Sequence, residues 1–179
     1  LRYNSGGYLN IAQQLASYIG GPSLAGTAFA TLTYNNKWQS ANVSYPFLSI
    51  TKSLSLDTLV VITSRLTASA SEAVMNGLDP HIKVVSVGDT THGKPMGMNG
   101  WTCGKKYFFW PITFKLVNSA NFGDYFDGLA PDKIATDDVT RDFNDNEEEC
   151  LKEAILYLKT GSFSGKGSGS FWRSRTYSE

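Results

Sequence analysis

The chain has 179 residues, and its 16 Lys and Arg balance 16 Asp and Glu to a formal net charge of +0. That balance argues against a nucleic-acid binder held by a strong basic field, and 41% hydrophobic with 13% aromatic residues excludes a disordered chain. The length suits one domain with a core of its own, and no apolar run approaches the ~20 residues of a membrane-spanning helix.

Tyr8 to Ile19 carries apolar residues at Tyr8, Ile11, Ala12, Leu15, Ala16 and Ile19, the spacing of a helix with one buried face. Gly20-Gly21-Pro22 stops it. Thr27 to Tyr34 predicts a strand, Asn35-Asn36 a turn, and Lys37 to Asp57 a hairpin with loops. Leu59 to Thr63 is a continuous run rich in β-branched residues, as in a strand of a parallel sheet. Ala70 to Leu78 follows as a short helix with Ala70, Ala73, Val74, Gly77 and Leu78 on one side, and Lys83 to Val87 is the next strand. Together these make a βαβ unit with a right-handed crossover.

Lys106 to Val117 predicts one or two strands, with Pro111 marking an edge or a break. Glu147 to Lys159 is the last helix, with Asn144 and Glu147 placed as a capping box. Gly161 to Ser170 is rich in Gly and Ser. The class is therefore α/β. Cys103 and Cys150 are too few for a disulfide framework or a four-ligand zinc site, and can make one bridge or none. The chain opens on Leu1 rather than Met, and reads as a piece of a longer protein.

Three segments could carry chemistry. Thr67-Ala68-Ser69-Ala70-Ser71-Glu72 joins a buried strand to a helix, so Ser69 stands at a helix N-terminus, where free N–H groups and the macrodipole favour negative charge. The plainer reading is that Thr67, Ser69 and Ser71 cap the helix. Gly88-Asp89-Thr90-Thr91-His92-Gly93-Lys94 leaves the second strand of the same unit. Both segments therefore follow C-terminal strand ends on one sheet edge, where Ser69 and Lys94 could meet as nucleophile and base. Such a lysine must be neutral, and moving its pKa from ~10.4 to ~7–8 costs about 4 kcal/mol. Asn4-Ser5-Gly6-Gly7 precedes a helix, and paired glycines there let backbone N–H groups approach a ligand.

These blocks, with Leu1-Arg2-Tyr3 before the first and Gly128-Leu129-Ala130-Pro131-Asp132 as a fourth, resemble the signature segments of the C-terminal processing (tail-specific) serine proteases. Ser69 and Lys94 are 25 residues apart, as in that family. The resemblance runs from Leu1 to about Leu158. It implies a crotonase/Clp-protease-like ββα spiral core with a mixed, mostly parallel sheet flanked by helices. Residues 1–160 would form the protease core, without the family's N-terminal and PDZ regions, and 161–179 a tail.

The resemblance also implies a Ser–Lys dyad, with Ser69 as nucleophile, Lys94 as general base, the N–H groups of Gly7 and Ala70 as the oxyanion hole, and Glu72 in support. Glu72 reads equally well as a first-turn acid favoured by the helix dipole. Many members carry a glutamine that orients the lysine. Met98 stands in its place here, a poor hydrogen-bond partner, with Asn99 beside it. No cofactor or metal is implied. The implied partners are protein or peptide substrates with flexible C-terminal tails, compatible with a homo-oligomer, and the implied location is extracytoplasmic, in the periplasm or cell envelope. An oxidising compartment would permit a Cys103–Cys150 bridge.

Rival readings use other residues. A Ser69–His92–Asp89 triad is imaginable, because triads are defined by geometry. Cys103 has no evident base. A non-catalytic module on the same fold could bind an apolar ligand or peptide, with Tyr107 to Trp110 lining its pocket. A crotonase-type acyl-CoA enzyme would share the oxyanion hole without needing Ser69.

Overall fold

The computed structural model describes residues 1–165. The last part of the expected tail, 166–179, lies outside the described residues. Helix α1 spans Leu9–Gly20, strand β1 Ala28–Tyr34 and β2 Val43–Pro46. The βαβ unit follows as β3 Thr58–Thr63, α2 Ala70–Leu78 and β4 Lys83–Gly88. A long bent hairpin comes next, from β5 Met96–Met98 and β6 Trp101–Cys103 out, and β7 Tyr107–Phe109 and β8 Ile112–Val117 back. Strand β9 is Lys133–Ile134 and α3 is Glu149–Thr160.

Strands β3, β4 and β9 form a parallel sheet, with Thr58 opposite Lys83 through to Thr63 opposite Gly88. The larger sheet, in the order β2-β1-β8-β5, is antiparallel throughout, and β6 and β7 form a separate two-stranded ribbon. The class is thus mixed α/β. Parallel pairing is confined to the sheet whose strands are joined by a helical crossover, while strands joined by hairpin turns pair antiparallel.

The expected single buried side of α2 is exceeded. All nine of its residues are buried. The helix lies between α1, the antiparallel sheet and β4, so no face meets water. Phe29, Phe47, Met75, Leu78 and Val84 fill the main core around it. A smaller core of Val87, Ala135, Cys150 and Ala154 lies under α3, which packs on β3 and β4.

The chain breaks at Trp110-Pro111, between β7 and β8, where the ladder loses a donor. The last helix starts later than its sequence suggests, and Asn144 and Glu147 do not cap it. Glu148 is the cap, and its carboxylate accepts from the N–H groups of Cys150 and Leu151 at 3.3 and 2.8 Å. Arg2 holds that carboxylate in place from the far end of the chain, at 2.8 Å. Both cysteines are free, Cys103 exposed on the ribbon and Cys150 buried under α3, so the bridge is not formed. Burial pushes the Cys150 thiol up to about 12, with Glu148 adding to the effect, and leaves it inert.

Candidate active site

Strand β3 is a part-buried edge strand of the parallel sheet, and the chain must turn sharply to enter α2. Thr67 fixes the turn. Its hydroxyl accepts from the Ser64 N–H at 3.0 Å and donates toward the Leu1 and Arg2 carbonyls at 2.9 and 3.2 Å. Ser69 then adopts φ 55 and ψ −116, a left-handed conformation for a residue with a Cβ. Such a conformation costs on the order of 1–3 kcal/mol and persists only where the surroundings impose it. It sets Ser69, half-buried, at the N-cap of α2. Ala70 begins the helix, and its N–H belongs to the first-turn groups that lack an intrahelical acceptor.

The Gly6-Gly7 segment lies against this turn. Asn4 pins it there. Its carbonyl accepts from the Ala68 N–H at 3.2 Å, and its side-chain oxygen accepts from the Gly6 N–H at 2.9 Å and the Ser71 hydroxyl at 2.7 Å. Gly6 has φ +100, and a Cβ there would meet the Ala68 carbonyl, the Ala70 nitrogen and Ser69 Cβ, each at 2.8 Å. Only glycine permits this approach. Ser64, whose hydroxyl donates to the Arg2 carbonyl, ties down the segment's start.

Glu72 joins the two halves of the site. It is fully buried, at 0% exposure. One carboxylate oxygen accepts from the N–H groups of Ser69 and Lys94 at 2.7 and 2.9 Å. The other accepts from the Thr91 hydroxyl at 2.6 Å and the Gly93 N–H at 2.7 Å. Four donors spread the charge of a buried carboxylate that has no cationic partner among the described residues. A single side chain thereby fixes the backbone of both Ser69 and Lys94.

The Thr91 hydroxyl also accepts from the Leu129 N–H at 2.7 Å, and the Leu129 carbonyl accepts from the Thr91 N–H at 3.1 Å. The Gly128–Asp132 block therefore braces the lysine loop. Asp132 in turn accepts from the Ser86 N–H at 2.8 Å, which anchors that block to β4. Gly93, at φ +89, passes so close to the Phe126 carbonyl that a Cβ would lie 2.2 Å from it.

Ser69, Ala70, Gly7 and Lys94 all line one cavity of about 520 Å³. Its remaining wall is largely apolar and includes Leu32, Met96, Trp110, Phe114 and Leu116. Lys94 is half-buried, and among the described residues its ammonium group makes no hydrogen bond or ion pair. Met98 and Asn99 also line the cavity. Asn99 spends its amide on the Tyr34 hydroxyl at 3.1 Å and its backbone N–H on Thr113.

The other sequence candidates lie elsewhere. His92 and Asp89 are exposed and stand outside the cavity, and Asp89 faces Arg65 at 3.9 Å. Cys103 is on the exposed ribbon.

Sequence reasoning missed Asn4 and Thr91 as positioning residues. Asn4 precedes the paired glycines and Thr91 precedes Gly93, but each acts on partners remote in the chain. It also missed a part-buried clamp behind the glycine segment. There Arg2 reaches Asp137 at 2.9 Å and Glu148 at 2.8 Å, and the Tyr3 hydroxyl donates to Asp137. Burial disfavours the charged form of Glu148, but the Arg2 guanidinium and the α3 N–H groups outweigh it and hold the carboxyl below its ordinary value. Tyr125 is buried, and among the described residues its hydroxyl has no hydrogen-bond partner. That burial, with the Glu72 charge nearby, pushes its phenol up.

Solved proteins share this fold. A Bacteroides fragilis protein assigned to the S41 proteases matches with a TM-score of 0.79 and 27% identity, over 90% of this chain and 43% of its own. The photosystem II D1 C-terminal processing protease matches with a TM-score of 0.60 and 20% identity, over 78% of this chain and 34% of its own. A lipoprotein from Streptococcus agalactiae matches with a TM-score of 0.63 and 17% identity, over 90% of this chain and 53% of its own. The latter two share the fold alone, and the chain spans about half or less of each of these proteins. No curated protein sequence matches it. The family model of peptidase family S41 matches residues 1–121, from the glycine segment through the βαβ unit to the end of β8, and the chain belongs to that family.

Proposed function

We propose that residues 1–160 form the catalytic core of a serine endopeptidase of the C-terminal processing type. The observation that carries this reading is the meeting of Ser69, Lys94, Gly7 and Ala70 on one cavity, with Ser69 held in a strained left-handed conformation. Lys94 takes the Ser69 hydroxyl proton on its side-chain amine as the oxygen attacks a peptide carbonyl. The N–H groups of Gly7 and Ala70 receive the developing oxyanion. Lys94 passes its proton to the leaving amine, and water then releases the acyl group. Glu72 acts through the backbone, holding Ser69 and Lys94 in register, and is a positioning residue.

The apolar wall suits a substrate with an apolar side chain beside the scissile bond, carried on a flexible C-terminal tail. An extracytoplasmic location is supported by the names of two structural neighbours, a lipoprotein and a photosystem II processing protease. A module that only bound apolar ligands would have no use for strain at Ser69, which lowers stability without adding contact.

The test mixes the protein, its Ser69→Ala variant and its Lys94→Ala variant with denatured casein and follows fragments by mass spectrometry from neutral to alkaline pH. Wild type cleaves and both variants do not. Cleavage that survives Ser69→Ala sinks the proposal. Casein bound intact by all three proteins would replace it with a binding module.

A further inference from the structure

The ribbon of β6 and β7 serves neither the core nor the catalytic cavity, apart from Trp110 at its base. Every residue in both strands is exposed. Tyr107, Phe108, Phe109 and Trp110 are 69%, 73%, 61% and 58% exposed, and Trp101 is 41% exposed. A soluble surface rarely concentrates so much aromatic area in one place.

The register shows how it is arranged. Trp101 pairs with Phe109 and Cys103 with Tyr107 on one face, while Thr102 pairs with Phe108 on the other. Aromatic rings thus leave a thin projecting ribbon on both sides. A protein partner docks on one face. A ribbon dressed on both faces suits a medium that surrounds it.

Charge points the same way. Between Asp89 and Asp124 there is no acidic residue, in a chain neutral as a whole. The same stretch carries Lys94, Lys105, Lys106 and Lys115, with Lys105 and Lys106 at the ribbon's turn. Neither turn lysine makes an ion pair among the described residues. Aromatic rings with lysines beside them are the residues that settle at the boundary of a bilayer, and basic side chains are drawn to anionic headgroups. The antiparallel pairing satisfies the inward-facing backbone groups of the ribbon, and the outward-facing ones stay within the hydrated headgroup layer, where water still reaches them.

We propose that the β6–β7 ribbon is a membrane-interface anchor, which inserts its aromatic tip among the headgroups of an anionic lipid surface without spanning the bilayer. The ribbon continues the β5–β8 hairpin, whose Met96, Met98 and Phe114 line the catalytic cavity. Anchoring therefore sets that cavity close against the membrane, within reach of chains that emerge from it. The proposal does not depend on catalysis.

The test is sedimentation with vesicles of phosphatidylcholine mixed with phosphatidylglycerol, against vesicles of phosphatidylcholine alone. Wild type pellets with the mixed vesicles and far less with the neutral ones. The double variant Lys105→Glu/Lys106→Glu binds the mixed vesicles on the order of tenfold more weakly. Phe108→Ser/Phe109→Ser, which changes only exposed side chains, loses binding while keeping the wild-type circular dichroism spectrum. Wild type that stays in the supernatant overturns the proposal, as does serine-variant binding equal to wild type. Light scattering supplies the other arm. A concentration-dependent dimer that the serine variant abolishes would make the ribbon a contact between copies and would also overturn the anchor.

Discussion

Lys94 stands between two regions of opposite character. On its N-terminal side the loop from Thr91 is gripped by the buried Glu72 carboxylate, and every N–H from Thr91 to Lys94 has a partner. On its C-terminal side the chain runs out into a ribbon whose rings meet solvent. The first region spends buried polar contacts on fixing geometry. The second contributes little to folding and keeps its apolar area for something else. Precision and adhesion are thus separated along one stretch of chain, and each is expected to respond to mutation in its own way.

Glu72→Ala breaks the first region hardest. It strands the Ser69, Gly93 and Lys94 N–H groups and the Thr91 hydroxyl, each of which costs ~1–3 kcal/mol if left dry. Water entering the space recovers part of that, so a loss of about 4 kcal/mol is expected in urea unfolding, with any proteolysis lost as well. A stability loss below about 1 kcal/mol would show that the four bonds do not hold the site.

Glu148→Gln comes next, at about 2 kcal/mol, the worth of a charged buried hydrogen bond. The folded-state pKa of Glu148 lies below its ordinary 4.5. Its contribution is therefore complete above that value and is lost as pH falls through the lower, folded value. Unfolding midpoints near neutrality and at about pH 3 should differ less in the variant than in wild type. Gly6→Ala follows, at roughly 1–3 kcal/mol, because a Cβ would sit 2.8 Å from the Ala68 carbonyl at a φ of +100. Its effect on casein cleavage should exceed its effect on melting, since the displaced segment carries the Gly7 N–H.

The elements that the sequence makes legible are those fixed by local patterns. Helix α2 runs over Ala70–Leu78 as its spacing indicates, and the break near Pro111 falls where the missing donor requires it. The start of α3 is illegible, because its cap is positioned by Arg2, 146 residues away. Glu72 is half-legible. Its link to Ser69 is a three-residue helix-start pattern, but its other donors arrive from 19 to 22 residues downstream. The exposure of Tyr107 to Trp110 runs against expectation, since aromatic residues in strands usually pack inward. Strands β6 and β7 pair only with each other among the described residues, and their rings stay largely exposed, with Trp101 and Phe109 also lining a shallow cavity beside Tyr34 and Trp38.

Smaller effects sharpen the contrast. Tyr125→Phe removes a buried hydroxyl that has no partner among the described residues, so stability should hold or rise by up to about 1 kcal/mol. A loss beyond that would mean that the hydroxyl is bonded after all and belongs to the Glu72 network.

Phe108→Ser should do least. The ring is 73% exposed, its cross-strand neighbour is Thr102, and no packed layer loses a contact when it goes. The unfolding midpoint should stay within about 0.5 kcal/mol of wild type. Serine also removes a solvent-facing ring from the native state, so the change should favour solubility. Phe29, at 0% exposure in the main core, gives the opposite limit, where truncation to Ala costs ~3–5 kcal/mol. A destabilisation at Phe108 that approached the core value would mean that the ribbon folds back onto the domain in solution. Its rings would then be core, and unavailable to a lipid surface.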